Sequence, residues 1–131
     1  LAGAWHIRGF SVFSVIERTT GAWVGRVGPW EPDGWPTKEI GYAVLRQYAG
    51  QGYAYEAAVA ACDFAVEFLK WDQLAHCIAP TNIRSQKLAE RLGCTNSGPS
   101  RLAPPFEDAA IDLWVQSADA WRARRKEMSH V

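Results

Sequence analysis

The sequence has little of what would tie it to a disulfide scaffold, a metal cluster, a membrane or a polyanion. Cysteine occurs three times, as Cys62, Cys77 and Cys94. An odd number, wide spacing and apolar surroundings argue against a disulfide framework or a zinc cluster, so all three read as reduced core thiols. The histidines, His6, His76 and His130, are too scattered to form a ligand spacing, and no metal is expected. Neither sign of charge is in excess: 14 Lys and Arg stand against 14 Asp and Glu, which argues against a nucleic-acid surface. No apolar run approaches the roughly 18 residues that would cross a bilayer, and no basic start followed by an apolar stretch marks a secretion signal. A cytoplasmic protein with no membrane partner is therefore the expectation. The chain also lacks repeats and low-complexity linkers, and it opens on Leu1 with no initiator methionine. It is expected to be one domain over residues 1–131, N-terminally incomplete.

What is present is apolar and aromatic. Nearly half of the 131 residues are hydrophobic, and seven are tryptophan, enough for a sizeable core. Alternation over Phe10 to Glu17 predicts a strand, RTTG a turn, and Ala22 to Val27 the returning antiparallel strand of a hairpin. The segment GPWEPDGWP, rich in proline, predicts a loop leading to a strand over Glu39 to Leu45. Ala57, Ala61, Phe64, Ala65 and Phe68 then fall on one face of a helix, opposite Glu56, Asp63, Glu67 and Lys70. Gln73 to Ala79 reads as a short strand ended by Pro80. A second helix follows, capped by Thr81 or Asn82, carrying Leu88, Ala89 and Leu92 inward and ended by Gly93. After the loop SGPSRLAPP, Ala109 to Val115 predicts a last strand, and Ala118 to Lys126 a short basic helix.

The stretch QYAGQGY, Gln47 to Tyr53, joins the apolar EIGYAVL to the alanine-rich helix. Glycines at 50 and 52 allow either a plain tight turn or a concave nest whose N–H groups, with the positive end of the helix, receive anionic oxygens. Gly52 is followed by Tyr53 and Ala54 and not by Lys-Ser/Thr, which excludes a Walker loop. No third glycine follows, which excludes a dinucleotide fingerprint.

The pattern Gln/Arg-x-x-Gly-x-Gly/Ala, present as Gln47-Tyr48-Ala49-Gly50-Gln51-Gly52, resembles the pyrophosphate loop of the GNAT superfamily of N-acetyltransferases. A second block, NIRSQKLAERLGC from Asn82 to Cys94, looks like the N-x-x-S-x-x-L-x-E-R/K-L-G-F ending of the branch that holds ribosomal-protein N-terminal (alanine) acetyltransferases. The hairpin SVFSVIERTTGAWVGRVGPW is similar to that branch too, so the resemblance spans roughly residues 10 to 115. It implies an α+β fold, a mostly antiparallel central sheet flanked by helices. The strand and helices that usually open this fold have no room before Phe10, which is the reason to expect missing upstream residues.

The resemblance also implies a chemistry: transfer of the acetyl group of acetyl-CoA directly to a primary amine, on a protein N-terminus or a small molecule. Ala43, Val44 and Leu45 match the strand whose backbone contacts the thioester and pantetheine. Gln47, Gly50, Gln51, Gly52, Tyr53 and Ala54 match the pyrophosphate contacts. Asn82 matches the residue that meets the pantetheine arm, while also suiting a helix cap. Ser85 matches a serine near the sulfur, able to protonate the leaving thiolate or merely solvated. Many relatives carry a tyrosine acid seven residues after the asparagine; here that position is Ala89, leaving Ser85, a water or Tyr42 as the acid. Glu39 is the first candidate for the base, with Glu107, Asp108 and Asp112 as alternatives. Trp30 and Trp35 could wall an acceptor pocket or only pack over a sheet edge. The alternative function is a non-catalytic acyl-CoA sensor or interaction domain of the same fold. The oligomeric state stays open, a homodimer included.

Overall fold

The computed structural model describes residues 13–31, 37–101 and 108–129. Strand β1 (Phe13–Ile16) returns through the Glu17 to Ala22 turn into β2 (Trp23–Trp30), which pairs antiparallel with β3 (Glu39–Val44). A single 3-10 turn (Arg46–Tyr48) leads to helix α1 (Tyr53–Asp63), a π-helical turn (Phe64–Phe68) and β4 (Gln73–Ile78). Helix α2 (Ile83–Leu92), β5 (Thr95–Ser100), β6 (Ile111–Ser117) and helix α3 (Ala118–Ser129) complete the order. Two three-stranded antiparallel sheets result, β1-β2-β3 and β4-β6-β5. This is the expected antiparallel α+β architecture.

The main core lies where α1 covers the first sheet. Ala58, Ala61, Cys62 and Ala65 recur at helical spacing and are fully or nearly fully buried, against Val27, Ile40, Leu74 and Trp121. Small side chains on that face let the helix lie close to the strands. Ile78, Ala89, Cys94 and Trp114 form a second cluster under α2. All three cysteines are free thiols; Cys62 and Cys94 are buried and Cys77 half-buried.

Three expectations are corrected. GPW does not begin a loop: β2 continues through Gly28, Pro29 and Trp30, paired with Gly41, Ile40 and Glu39. Beyond Val27, β2 pairs only with β3 among the described residues, and a proline without N–H is tolerated in that edge position. One residue of the expected apolar face departs: Ala61 and Ala65 are buried as expected, but Phe68 is 71% exposed and stacks on Phe64, and Ala58 and Cys62 extend the buried face. The wider turn at Phe64–Phe68, closed by Leu69 N–H to the Phe64 carbonyl, rotates this end out of the 3.6-residue phase. Finally, Thr95 to Ser100 is an edge strand on β6 and not a loop, with a register shift between Asn96 and Pro99. Phe10 to Val12, Trp35, Glu107, His6 and His130, named from the sequence, lie outside the described residues.

Candidate active site

The two sheets abut at β3 and β4 without sharing a backbone ladder, since these strands belong to different sheets. Side chains bridge them instead. Glu39 Oε2 accepts the Cys77 backbone N–H at 2.8 Å, and His76 Nδ1 lies 2.9 Å from the Ile40 carbonyl. The opening between the strands is the candidate site.

On one side lies a cleft of about 550 Å³ whose wall includes Tyr42, Ala43, Val44, Gly50, Gly52 and Ala54. Tyr53, Asn82 and Ser85 belong to the same wall, and α2 contributes Arg84, Lys87 and Arg91. Gly50 and Gly52 have φ of +79° and +84°, the left-handed region that glycine occupies without strain, and a Cβ at either would point into open space. Gly52 caps α1 with no side-chain bond, and its carbonyl accepts the Glu56 N–H, the first bond of the helix. The N–H groups from Gly50 to Ala54 therefore make no backbone bond among the described residues. Free donors, a helix N-terminus and three cations face one cleft, which is the donor set that phosphate oxygens require. The residues fit a coenzyme A pyrophosphate.

A second cavity, of about 270 Å³, is walled by Arg26 and Trp30 from β2, Glu39 and Gly41 from β3, and His76 and Cys77 from β4. Tyr42, Ala43, Asn82 and Ser85 belong to both walls. Glu39 is 7% exposed. Burial and the neighbouring Glu39 push the Cys77 thiol up to about 12, so it is no nucleophile at neutral pH. Burial also raises the Tyr42 hydroxyl well above the usual tyrosine range, and that hydroxyl donates to the Ser85 carbonyl at 3.1 Å. Asn82 caps α2 by accepting the Ser85 N–H at 3.2 Å, which fixes both residues at the junction of the cavities.

Of the residues singled out from the sequence, Leu45, Gln47 and Gln51 lie outside both walls. Leu45 gives its N–H to the Val24 carbonyl, and Gln51 Nε2 donates to the Gln47 carbonyl at 3.2 Å, bracing the loop from outside. Asp112 accepts from Asn96 at 3.1 Å and lines neither cavity, nor does Asp108. Ala89 is fully buried in the second core cluster, so its position faces away from solvent. Sequence reasoning missed Arg84, Lys87 and Arg91. Their spacing of three and four along α2 was a readable signal of one shared face. It also missed Arg26, His76 and Cys77, for which the sequence holds no such signal.

A sequence model of the acetyltransferase (GNAT) domain matches residues 1–95. The YkkB protein of Bacillus subtilis (strain 168), uncharacterized, is 33% identical over 87 residues, covering 65% of this chain and 51% of that protein. The chain thus spans about half the length of that relative. A crystal structure of an acetyltransferase from Agrobacterium tumefaciens is similar over 87% of this chain and 64% of its own, at 32% identity and a TM-score of 0.74. A structure from Vibrio cholerae, provisionally named a ribosomal-protein-serine acetyltransferase, is similar over 88% of this chain and 68% of its own, at 29% identity and a TM-score of 0.73.

Proposed function

The chain belongs to the acetyltransferase (GNAT) domain family, and we propose that it is an acetyl-CoA-dependent N-acetyltransferase acting on a primary amine of a protein N-terminus or a small molecule. One observation carries the reading: a phosphate-suited cleft and a cavity holding a buried carboxylate meet at Tyr42, Ala43, Asn82 and Ser85. A donor in the first and an acceptor in the second would come together at that junction, and much of the rate enhancement in acyl transfer comes from such placement.

Acetyl-CoA would supply an already activated thioester. The free N–H groups of Gly50, Gly52, Tyr53 and Ala54, with Arg84, Lys87 and Arg91, would hold its phosphates, while Ala43, Val44 and Asn82 would receive the pantetheine arm. A β3 backbone N–H near Ala43 would stabilise charge developing on the carbonyl oxygen. The Glu39 carboxylate would take the proton of the incoming ammonium, directly or through water, and Ser85 Oγ would give a proton to the departing sulfur. Tyr42 is the weaker acid candidate, because its proton is committed to the Ser85 carbonyl. Asp112, tied to Asn96 and in neither wall, likewise favours Glu39 as the base.

The burial of Ala89, where many relatives have a tyrosine acid, supports the second reading, a sensor that binds the coenzyme and transfers nothing. Thiol release from acetyl-CoA by the full-length protein across amines and peptide N-termini separates the two. Turnover supports the enzyme; binding by calorimetry with no thiol above background supports the sensor. Absence of binding removes both.

A further inference from the structure

Residues opposite one another in an antiparallel pair share a face of the sheet, and faces alternate along each strand. Arg26 stands opposite Ala43, Gly28 opposite Gly41 and Trp30 opposite Glu39. These positions therefore lie on the face turned away from Val27 and Ile40, which pack into the core under α1. Arg26, Trp30, Glu39, Gly41 and Ala43 all belong to the wall of the smaller cavity, so the cavity runs along this face. Arg26 and Glu39 mark its two ends, separated by about 13 Å of strand at roughly 3.3 Å per residue. The floor between them is glycine. Nothing in the backbone demands that at Gly41, whose φ is not in the left-handed region and where a Cβ would meet Trp30 Cβ at 3.7 Å, an ordinary contact. Glycine inside a strand costs entropy and packs nothing, and it often marks a place where a ligand approaches the backbone.

The charges fit such a ligand. Glu39 and Arg26 are the two charged side chains in the described part of the wall, since burial lowers His76 to about 4 and leaves it neutral at pH 7. The Arg26 guanidinium has no carboxylate partner among the described residues. An exposed arginine is often merely solvated; this one stands on the same glycine-floored track as a buried carboxylate, with its fork of donors unspent.

We propose that the acceptor is a primary amine that also carries an anionic group, its amine held at Glu39, its chain lying over Gly41 and its anion paired with Arg26. This rests on the acetyltransferase reading and names the substrate class within it. The two side chains take up part of the span, so an acceptor with about 6–10 Å between nitrogen and anion bridges it, roughly two to three residues of extended chain. An N-terminal amine followed closely by Asp or Glu has that chemistry, and so has a free ω-amino acid. The same wall selects against polyamines, because a second ammonium would meet Arg26, a like charge.

The test measures thiol release by the full-length protein with two matched series: ε-aminocaproate, its amide and cadaverine, and peptides beginning Ala-Asp, Ala-Asn and Ala-Lys. In the wild type, kcat/KM should be about 10- to 100-fold higher for the anionic member than for its neutral partner, the size of one charge-assisted pair, and lowest for the cationic one. Arg26→Glu should reverse that order, with the acetyl-CoA Kd within about twofold in calorimetry, since Arg26 lies outside the coenzyme cleft. Preference in the peptide series alone places the anion on a protein, and in the other series alone on a small molecule; either supports the proposal. Values equal within about threefold in both series overturn it, as does an order that Arg26→Glu leaves unmoved. Should Arg26→Glu not fold, salt decides: about 0.5 M should erase most of the wild-type preference, because the arginine is exposed, and a preference that survives overturns the pairing. Turnover without charge preference sinks this inference alone, whereas no turnover on any amine sinks the parent reading and this one with it.

Discussion

Glu39 and Cys77 are joined by a 2.8 Å hydrogen bond from the Cys77 backbone N–H to Glu39 Oε2, across the line where two sheets meet without a ladder. The same carboxylate is the proposed base, so one side chain has a structural and a chemical duty, and two substitutions separate them. Glu39→Gln retains an oxygen for Cys77 and removes the charge. Thiol release should fall by about 10²- to 10⁴-fold, with the melting temperature nearly unchanged. Glu39→Ala leaves a half-buried N–H unpaired and should also cost about 1–3 kcal/mol in urea unfolding. Full turnover in Glu39→Gln would move the base elsewhere.

The nest at the start of α1 depends on backbone conformation more than on space. Gly50 and Gly52 sit at positive φ, and a Cβ at either meets nothing within 4 Å. Gly52→Val should cost about 1–2 kcal/mol of stability and weaken acetyl-CoA in calorimetry. Gly52→Asn, which tolerates the left-handed region, should cost less. Equal losses for the two would point to contact and not conformation as the cause.

Arg84, Lys87 and Arg91 are expected to act on the coenzyme's phosphates through charge. Removing two of them together, as Lys87→Ala with Arg84→Ala, should raise the acetyl-CoA Kd and flatten its dependence on salt, while amine KM stays within about twofold. Arg91 is less suited to this test because its guanidinium stacks 3.9 Å from the Tyr55 ring centroid and would be lost to packing as well. An unchanged salt dependence in the double variant would place the phosphates elsewhere.

His76 also makes stability depend on pH. Burial lowers its folded value to about 4, below the roughly 6.5 of an unfolded histidine. The unfolded chain therefore binds the extra proton first. Its contribution is fully present above about 6.5 and is lost as pH falls through that value toward 4. Urea unfolding at pH 7 and pH 4.5 should differ in the wild type by about 2–3 kcal/mol more than in His76→Asn. Parallel curves would mean the imidazole is not desolvated.

Asp63 ties α3 to α1: its carboxylate accepts from Trp121 Nε1 at 2.9 Å and from Arg125 Nε at 3.1 Å. Trp121 is 1% exposed, so Asp63→Ala leaves its indole N–H without this partner and should destabilise by about 1–3 kcal/mol. Arg125→Ala should cost under about 1 kcal/mol, since the ion pair is more than a third exposed on both sides and screened by solvent. Chemical denaturation of the two variants checks the order, and a reversal would put the docking energy in the ion pair.

Several elements were legible because local rules govern them. Asn82 was readable as a cap and Gly93 as a stop, and α2 runs between them with Gly93 at φ +103°. The strands β3, β4 and β6 follow their apolar runs to within two residues. Pro29 misled because the rule against proline in strands holds for positions paired on both sides, and the pairing is a tertiary fact. Phe68 misled because the π-helical turn shifted the phase of the helix, which no residue count reveals. Asp63, placed by periodicity on the outer face, is half-buried because α3 comes back over it from 58 residues later.

The order of residues alone determined that a glycine turn, plain or anion-binding, opens α1, since glycines at two alternate positions before a helix need nothing from elsewhere in the chain. It determined likewise the two blocks by which the family is recognised. Only the tertiary structure decided which side chains share the cavity that adjoins the cleft of that loop. Glu39, His76 and Ser85 come from three elements, and no local pattern relates them. The failure of β3 and β4 to zip together opens the cavity between them, and that gap depends on how two separate sheets pack, a balance of long-range contacts that the neighbours of a residue in sequence do not encode.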